Sequence, residues 1–262
     1  MKIAILTILL MPTWIAAEEA TVAAASNFRA ALNTIVGVFE STTSHSITIV
    51  SGSTGQLYAQ IVNGAPYDIL LAADQERPSL LEKAGHAVTG SRFTYATGRL
   101  ALLASESEFR QDGLQQTALQ SAIRKFAIAN PSLAPYGVAA QEAIKAIGAW
   151  ETVSDKLVFG ENVSQTFTLV VTGNAQVGMV ALSSVLAADG GFRSAYLPVP
   201  TDFHAPIRQD AVLLVHGADN TAATEFLKFL QSDTARHKPA TVAPPGETRA
   251  GFAAKDCSGR HC

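Results

Sequence analysis

The sequence predicts an α/β fold with mainly parallel sheets, divided into two lobes. Short apolar stretches that are typical of buried strands alternate with stretches whose apolar residues recur at helical spacing. Near-continuous apolar strands between amphipathic helices indicate parallel sheets covered by helices. Two segments, residues 91–99 and 198–210, could carry the chain from one sheet to another. Two such crossings would place the first and last parts of the chain in one lobe and the middle in a second.

These patterns predict individual strands and helices along the chain. The predicted strands are residues 21–25, 47–50, 69–72, 100–104, 126–129, 177–182, 196–199 and 211–215. The predicted helices are residues 28–40, 57–63, 79–84, 140–147, 165–171 and 221–230. Asn220 is predicted to cap the last helix, whose apolar face contains Phe226 and Leu230. The polar stretch at residues 111–120 is expected to form a surface loop or a short helix.

The first junction between a strand and a helix suggests a binding site. The apolar run at residues 21–25 ends in Ser26 and Asn27, and a helical pattern begins at once with Phe28. Ser26 or Asn27 is therefore predicted to be the N-cap. A helix N-terminus offers N–H groups without partners in the helix and the positive end of the helix dipole, which together suit an anion.

Three further junctions follow the same pattern. Residues 51–55 contain Thr54 and two glycines that let the backbone approach a ligand closely, but they lack the lysine of a P-loop. Within residues 130–137, a proline at position 135 removes one N–H donor and leaves the amides of Tyr136 and Gly137 as candidates. Residues 160–164 precede the predicted helix at residues 165–171. Each stretch alone is also compatible with an ordinary cap or turn.

Together, the four junctions predict a site for a fully deprotonated oxyanion. None of them contains arginine or lysine, so the donors would be neutral N–H and hydroxyl groups. Phosphate usually keeps one proton at neutral pH and would need an acceptor inside the site. Asp68 or Asp74 could supply that acceptor, although capping or turn roles are the preferred interpretation.

The composition argues against several other classes of protein. The chain of 262 residues is 48% hydrophobic, carries a net charge of −3 and has no basic run, which argues against nucleic-acid binding. The six histidines are scattered without a His-x-x-x-His pair, and no pairing of nucleophile and base is visible in the sequence. The chain is therefore predicted not to be an enzyme and to hold no metal site of its own.

The two ends of the chain carry distinct features. Residues 1–17 have the positive start, short apolar run and small residues of a secretory signal peptide, with a membrane-anchored N-terminus as the alternative. No later segment is long enough to cross a membrane, so the mature protein is expected to be soluble and exported. Cys257 and Cys262 could form a disulfide loop after export or, with His261, act as metal ligands, but a loose tail is the preferred interpretation.

Several motifs resemble those of the periplasmic molybdate-binding proteins of ABC transporters. They are AAASNF at 23–28, SGSTGQLYAQI at 51–61, NGAPYD at 63–68, AAD at 72–74, SRFTYA at 91–96, NP at 130–131, APYG at 134–137 and GMVAL at 178–182. The resemblance runs from about residue 21 to about residue 235 in the family's order. The motifs are specific as a set, whereas each one alone would not be.

The resemblance implies a type II periplasmic-binding-protein fold that closes on molybdate or tungstate, without a cofactor and without catalysis. Carried over by position, the oxyanion donors are Ser26, Asn27, Thr54 and the backbone N–H groups of Tyr136 and Val163. Asn27 marks the branch of the family in which an asparagine side chain joins the site. Thr54 stands where serine is more usual, and its extra methyl group could tighten the pocket.

The other branch of the family uses a tyrosine after the Gly-x-Val strand. Ala181 holds that place here, so no such contact is expected. The resemblance also implies that residues 18–98 and 208–236 form one lobe and residues 99–207 the other. Residues 237–262 depart from the family pattern and are expected to form an atypical, disordered tail.

The resulting prediction is a monomeric periplasmic protein that captures molybdate or tungstate and delivers it to an inner-membrane ABC permease. One alternative is a protein of the same fold that binds another oxyanion, sulfate or phosphate. A second alternative, from a different class, is an exported hydrolase that uses Ser26 or Ser53.

Overall fold

The computed structural model describes residues 17–106, 112–188 and 196–237, which form two α/β lobes. The strands are β1 (Glu19–Ala25), β2 (Ser46–Gly52), β3 (Ile69–Leu71), β4 (Phe93–Gly98), β5 (Leu100–Ala104), β6 (Phe126–Ala129), β7 (Leu157–Gly160), β8 (Val177–Ala181), β9 (Tyr196–Pro198) and β10 (Ile207–Leu213). The helices are α1 (Arg29–Thr42), α2 (Thr54–Val62), α3 (Glu76–Lys83), α4 (Leu114–Ala118), α5 (Pro135–Ala146), α6 (Trp150–Val153), α7 (Val163–Val171), α8 (Leu182–Ala187), α9 (Thr221–Leu230) and α10 (Asp233–His237).

Some expectations from the sequence lie outside the described residues. These are the signal peptide except for its last residue, both cysteines, and the tail beyond residue 237. Within the three described segments, every helix is too short or too polar to cross a bilayer.

Each lobe contains one five-stranded sheet. The first sheet has the order β2-β1-β3-β10-β4 and the second has the order β7-β6-β8-β5-β9. In each sheet four of the five strands point in the same direction, and the fifth, β10 or β5, is antiparallel to both of its neighbours. The expectation of mainly parallel sheets is therefore confirmed for strand direction, although direct parallel pairing is limited to β2-β1-β3 and β7-β6-β8. Parallel neighbours need a crossover connection, whereas β5 and β10 arrive directly from the other lobe.

The chain passes between the sheets twice. It leaves the first sheet at Arg99, between β4 and β5, and returns through residues 199–206, between β9 and β10. Strand β4 lies within residues 91–99, which the sequence predicts to be a crossing segment because they are polar and aromatic. The structure pairs it with β10, which begins four residues before the predicted start because its first residues bond to β4. Strand β7 was also missed from the sequence.

Each lobe has its own apolar core, which fixes the ends of its strands. In the first lobe, Phe39 on α1 packs edge-on against Phe226 on α9, with ring centroids 5.1 Å apart. Both rings are buried, and burial of such a side chain contributes about 1.5–3 kcal/mol. Asn220 caps α9 by accepting a hydrogen bond from the backbone N–H of Ala223, as the sequence predicted.

The four junctions lie at the carboxyl ends of parallel strands. Ala25 at the end of β1 is in register with Gly52 at the end of β2, and Ala129 at the end of β6 is in register with Gly160 at the end of β7. Each lobe therefore presents two neighbouring helix starts at one edge of its sheet, which is where open α/β sheets bind ligands.

Candidate functional site

All four junctions converge on one small cavity between the lobes. The cavity is lined by Ala25, Ser26, Asn27, Gly52, Ser53, Thr54, Ala73, Ala134, Pro135, Tyr136, Asn162 and Val163. The five residues predicted as oxyanion donors are all in this set. Their assignment as ligands remains a prediction, but residues up to 137 positions apart in sequence share one cleft.

Ser26 and Asn27 are not helix caps, contrary to the sequence prediction. They form a short 3-10 turn with Phe28, and α1 begins only at Arg29 without a side-chain cap. Because neither side chain is used to cap α1, both are free to lie buried at the cavity. Ser26 Oγ accepts a hydrogen bond from the backbone N–H of Ser164, at 3.4 Å, and Ser164 Oγ donates to the Ser26 carbonyl at 3.0 Å.

Thr54 is the first residue of α2 and is buried at the cavity. Its Oγ1 accepts a hydrogen bond from the backbone N–H of Ala73 at 2.9 Å, so the hydroxyl proton remains available to a ligand. Its own N–H has no partner within the helix because it lies in the first turn. Ser53 forms the capping box with Gln56, so its hydroxyl already has a structural role.

The second lobe contributes backbone amides. Tyr136 follows Pro135 in the first turn of α5, and Gly137 N–H is already bonded to the Ala134 carbonyl at 2.8 Å. This leaves Tyr136 as the better of the two amide candidates. Val163 is the first residue of α7, where the Asn162 side chain satisfies the next two N–H groups and leaves that of Val163 for a ligand.

The cavity is uncharged, so its positive character comes from helix N-termini. Among the residues that the structure describes, none that lines it is acidic or basic. Asp74 accepts the backbone N–H of Arg77 in the first turn of α3 and pairs with the Arg77 guanidinium. Asp68 bonds to His216 Nδ1 at 2.8 Å and to the backbone N–H of Thr21 at 2.6 Å. Both carboxylates therefore have structural roles, and neither supplies the acceptor that a protonated oxyanion would need.

The lobes contact each other directly across the cleft. Gly55 N–H donates to the Leu133 carbonyl at 2.8 Å, and Ser183 Oγ donates to the Asn27 carbonyl at 3.0 Å. Ser183 was missed from the sequence, although it follows a strand-to-helix junction of the same kind, β8 to α8. Ala181 ends β8 and is not among the described residues that line the cavity.

Two tyrosine hydroxyls approach Gln209 beside the cavity. Tyr95 is partly buried, and Tyr136 is buried and lines the cavity. Tyr95 OH is within hydrogen-bonding distance of the Ala72 carbonyl and of Gln209 Oε1, at 3.1 and 3.0 Å. The Tyr136 hydroxyl lies 3.5 Å from Gln209 Nε2. Burial raises the pKa of Tyr95 well above its ordinary value and raises the pKa of Tyr136 in the same direction. Both hydroxyls therefore stay protonated and neutral in the folded protein.

Strong base should destabilise the fold through these two tyrosines. The folded chain holds both phenol protons more tightly than the unfolded chain, whose tyrosines ionise at about pH 10. Above that pH, each should lower the free energy of unfolding by about 1.4 kcal/mol per pH unit. Urea unfolding of the wild type and of Tyr95→Phe between pH 9 and 11 tests this. The variant should show a shallower fall, and equal slopes would contradict the expectation.

Two α/β lobes joined by two crossing segments, with a cleft of helix N-termini between them, define the class of solute-binding proteins that enclose a ligand between lobes. The chain matches the family model described as bacterial extracellular solute-binding protein over residues 20–238. It belongs to that family, whose members are transport components rather than enzymes.

Individual relatives narrow the comparison. The molybdate-binding protein ModA of Rhodobacter capsulatus is 42% identical over 220 residues, which cover 84% of this chain and 85% of the relative. The structure of the Azotobacter vinelandii periplasmic molybdate-binding protein matches with a TM-score of 0.77 and 33% identity, over 82% of this chain and 94% of that chain. The sulfate-binding protein SubI of Mycobacterium tuberculosis, at 13% identity and a TM-score of 0.72, shares the fold alone.

Proposed function

We propose that this protein captures molybdate or tungstate outside the inner membrane and delivers it to an ABC transporter permease. The observation that carries the proposal is the convergence of neutral donors from both lobes on one uncharged cavity. The relatives at 42% identity are named as molybdate-binding proteins, which supports the same ligand class. We further propose that the protein acts as an exported, periplasmic monomer without a cofactor.

The chemistry of the donors favours an oxyanion that carries no proton. Hydroxyls of Ser26 and Thr54, the Asn27 side chain, and the amides of Tyr136 and Val163 would surround it. Hydrogen bonds to a charged partner contribute about 1.5–3 kcal/mol each. Sulfate shares this charge state, so discrimination against it would depend on the size of the cavity. Phosphate would bring a proton to a site without a carboxylate among the described lining residues.

Binding should be coupled to closure of the lobes. Ser26, Asn27 and Thr54 lie in the first lobe, whereas Tyr136 and Val163 lie in the second. The anion is bound by all of them only when the lobes meet, so it stabilises the closed arrangement over an open one. The hydrolase alternative has less support, because no histidine or carboxylate lines the cavity among the described residues to act as a base.

A thermal-shift series with molybdate, tungstate, sulfate and phosphate tests the ligand class. A ligand present at a hundred times its Kd stabilises the folded state by about 2.7 kcal/mol. For a chain of this size that should raise the Tm by about 5–10 °C. Molybdate and tungstate are expected to give this shift and phosphate none. A shift with phosphate and none with molybdate would overturn the proposal.

Removing the Thr54 hydroxyl should weaken binding without unfolding the chain. Thr54→Val keeps the shape of the side chain but can neither donate to an anion nor accept the backbone N–H of Ala73, so some stability is lost as well. The Kd for molybdate is expected to rise about tenfold or more, since one bond to a charged partner is lost. Isothermal titration calorimetry measures this, and Thr54→Ser is the control that keeps the hydroxyl. Equal affinities in the two variants would remove Thr54 from the site.

A further inference from the structure

A pair of buried carboxamides lies beside the cavity. The side-chain amides of Asn27 and Gln209 meet at 2.9 Å, between the atoms assigned as Asn27 Nδ2 and Gln209 Oε1, although the two residues are 182 positions apart. Asn27 Oδ1 is buried and has no hydrogen-bond partner among the described residues. The two ends of a carboxamide have the same shape, so the surrounding hydrogen bonds determine which end faces which neighbour.

Gln209 lies where the pairing of β10 with β4 is irregular. The register shifts between Gln209 and Asp210, whose side chains are almost fully buried, at 2% and 1% exposure. The residue skipped by this shift is Tyr95 on β4, and its hydroxyl reaches Gln209. Gln209 is not among the described residues that line the cavity, so it acts on a ligand through neighbours that do, Asn27 by the closer hydrogen bond and Tyr136 at 3.5 Å.

The hydroxyl of Tyr95 indicates which way the Gln209 amide is turned. This hydroxyl has one proton, and the Ala72 carbonyl beside it can only accept. If Tyr95 donates its proton to that carbonyl, the Tyr95 oxygen can only accept a hydrogen bond from Gln209. The NH2 group of Gln209 must then face Tyr95. The oxygen end of Gln209 then faces the Tyr136 hydroxyl, which can donate to it.

The same orientation satisfies Asn27. The Gln209 NH2 group has two protons, one for Tyr95 and one for the oxygen of Asn27. Asn27 Oδ1, which otherwise is buried without a partner among the described residues, then accepts a hydrogen bond from the Gln209 NH2 group. The NH2 group of Asn27 is left for the cavity. The Tyr136 hydroxyl has the backbone N–H of Arg99 and the Asn27 side chain as further neighbours. The opposite orientation leaves a buried acceptor unpaired, which is costly.

We propose that Gln209 is a positioning residue that turns the Asn27 amide so that its NH2 group faces the bound oxyanion. This deepens the proposed function and rests on it. With the oxygen of Asn27 occupied by Gln209, the Asn27 side chain offers only donors to the cavity. An oxyanion that retains a proton would meet no acceptor from this side chain. Gln209 thereby contributes to the preference for a fully deprotonated ligand.

A double-mutant cycle with molybdate calorimetry tests the action through Asn27. Gln209→Met keeps the length of the side chain without hydrogen bonds, and Asn27→Ala removes the amide that it positions. Each is expected to raise the Kd about tenfold, and the double variant should bind no more weakly than Asn27→Ala alone. Additive losses would overturn the proposal. Gln231→Met, at an exposed glutamine, is the control and should leave the Kd unchanged.

The selectivity between molybdate and phosphate is a second measurement, which would not change if Gln209 had a purely structural role. In Gln209→Met the Asn27 amide is free to present its oxygen, so the ratio of the phosphate Kd to the molybdate Kd should fall by about fivefold or more. An unchanged ratio would count against the positioning role.

Neutron diffraction of the wild-type protein exchanged into D2O observes the amide directly and needs no oxyanion. Deuterons on the Asn27 nitrogen facing the cavity support the proposal, and deuterons facing Gln209 overturn it. If the wild type failed to bind molybdate, the proposed function would fall while the neutron map still decided the orientation.

Discussion

Gly55→Ala is expected to weaken molybdate binding by about 5- to 100-fold while the chain without ligand stays folded. A methyl group at this position would lie 2.8 Å from the carbonyl oxygen of Leu133 and 3.1 Å from its Cα. Gly55 belongs to the first lobe and Leu133 to the second, so the clash exists only when the lobes meet. Because Gly55 lies in α2, alanine should not destabilise the first lobe itself. Alanine has a higher helix propensity than glycine at such a position.

Calorimetry and small-angle X-ray scattering together measure this effect. The variant should show a raised Kd and a smaller decrease in radius of gyration on adding molybdate, with an unchanged or higher Tm in its absence. Gly37→Ala is the matched control, because a methyl group at this other helical glycine would meet nothing within 4 Å. If Gly55→Ala bound molybdate as tightly as Gly37→Ala, the contact at Leu133 would not limit closure.

Arg92→Met is expected to lower the free energy of unfolding by about 2–3 kcal/mol. Arg92 Nη1 bonds at 2.7 Å to Asp210 Oδ2, and the carboxylate is 1% exposed. Methionine retains much of the length of arginine but leaves a buried charge whose other side-chain partners among the described residues are Thr94 and Gln75. Removing one member of a buried pair is costly because the remaining charge stays out of water.

Urea unfolding at neutral pH measures the loss. The double variant Arg92→Met with Asp210→Asn is the control, since a neutral amide at position 210 no longer needs a cation. It should recover part of the lost stability. A double variant less stable than Arg92→Met alone would show that the charge on Asp210 is not the cause.

The chain's local patterns were sufficient to predict most of the elements. The bounds of β5, β6 and α9 agree with the prediction, because an apolar run or an amphipathic period is a property of neighbouring residues. The same local reasoning predicted the strand-to-helix junctions after β1, β2 and β6. It also singled out residues 160–164 before α7, although it did not predict β7 itself. It failed at β4, whose alternating polar and aromatic residues become a strand only by pairing with β10.

The donor types at the candidate site were determined by the sequence alone, since small polar residues at helix starts are recognisable from their neighbours. Their convergence and orientation were decided by the tertiary structure. Ser26 and Asn27 were read as caps, but a 3-10 turn and contacts from the second lobe give them other roles. Gln209 has no distinguishing pattern, because its partners Asn27, Tyr95 and Tyr136 are far away in sequence and meet it only when the chain crosses back between the lobes.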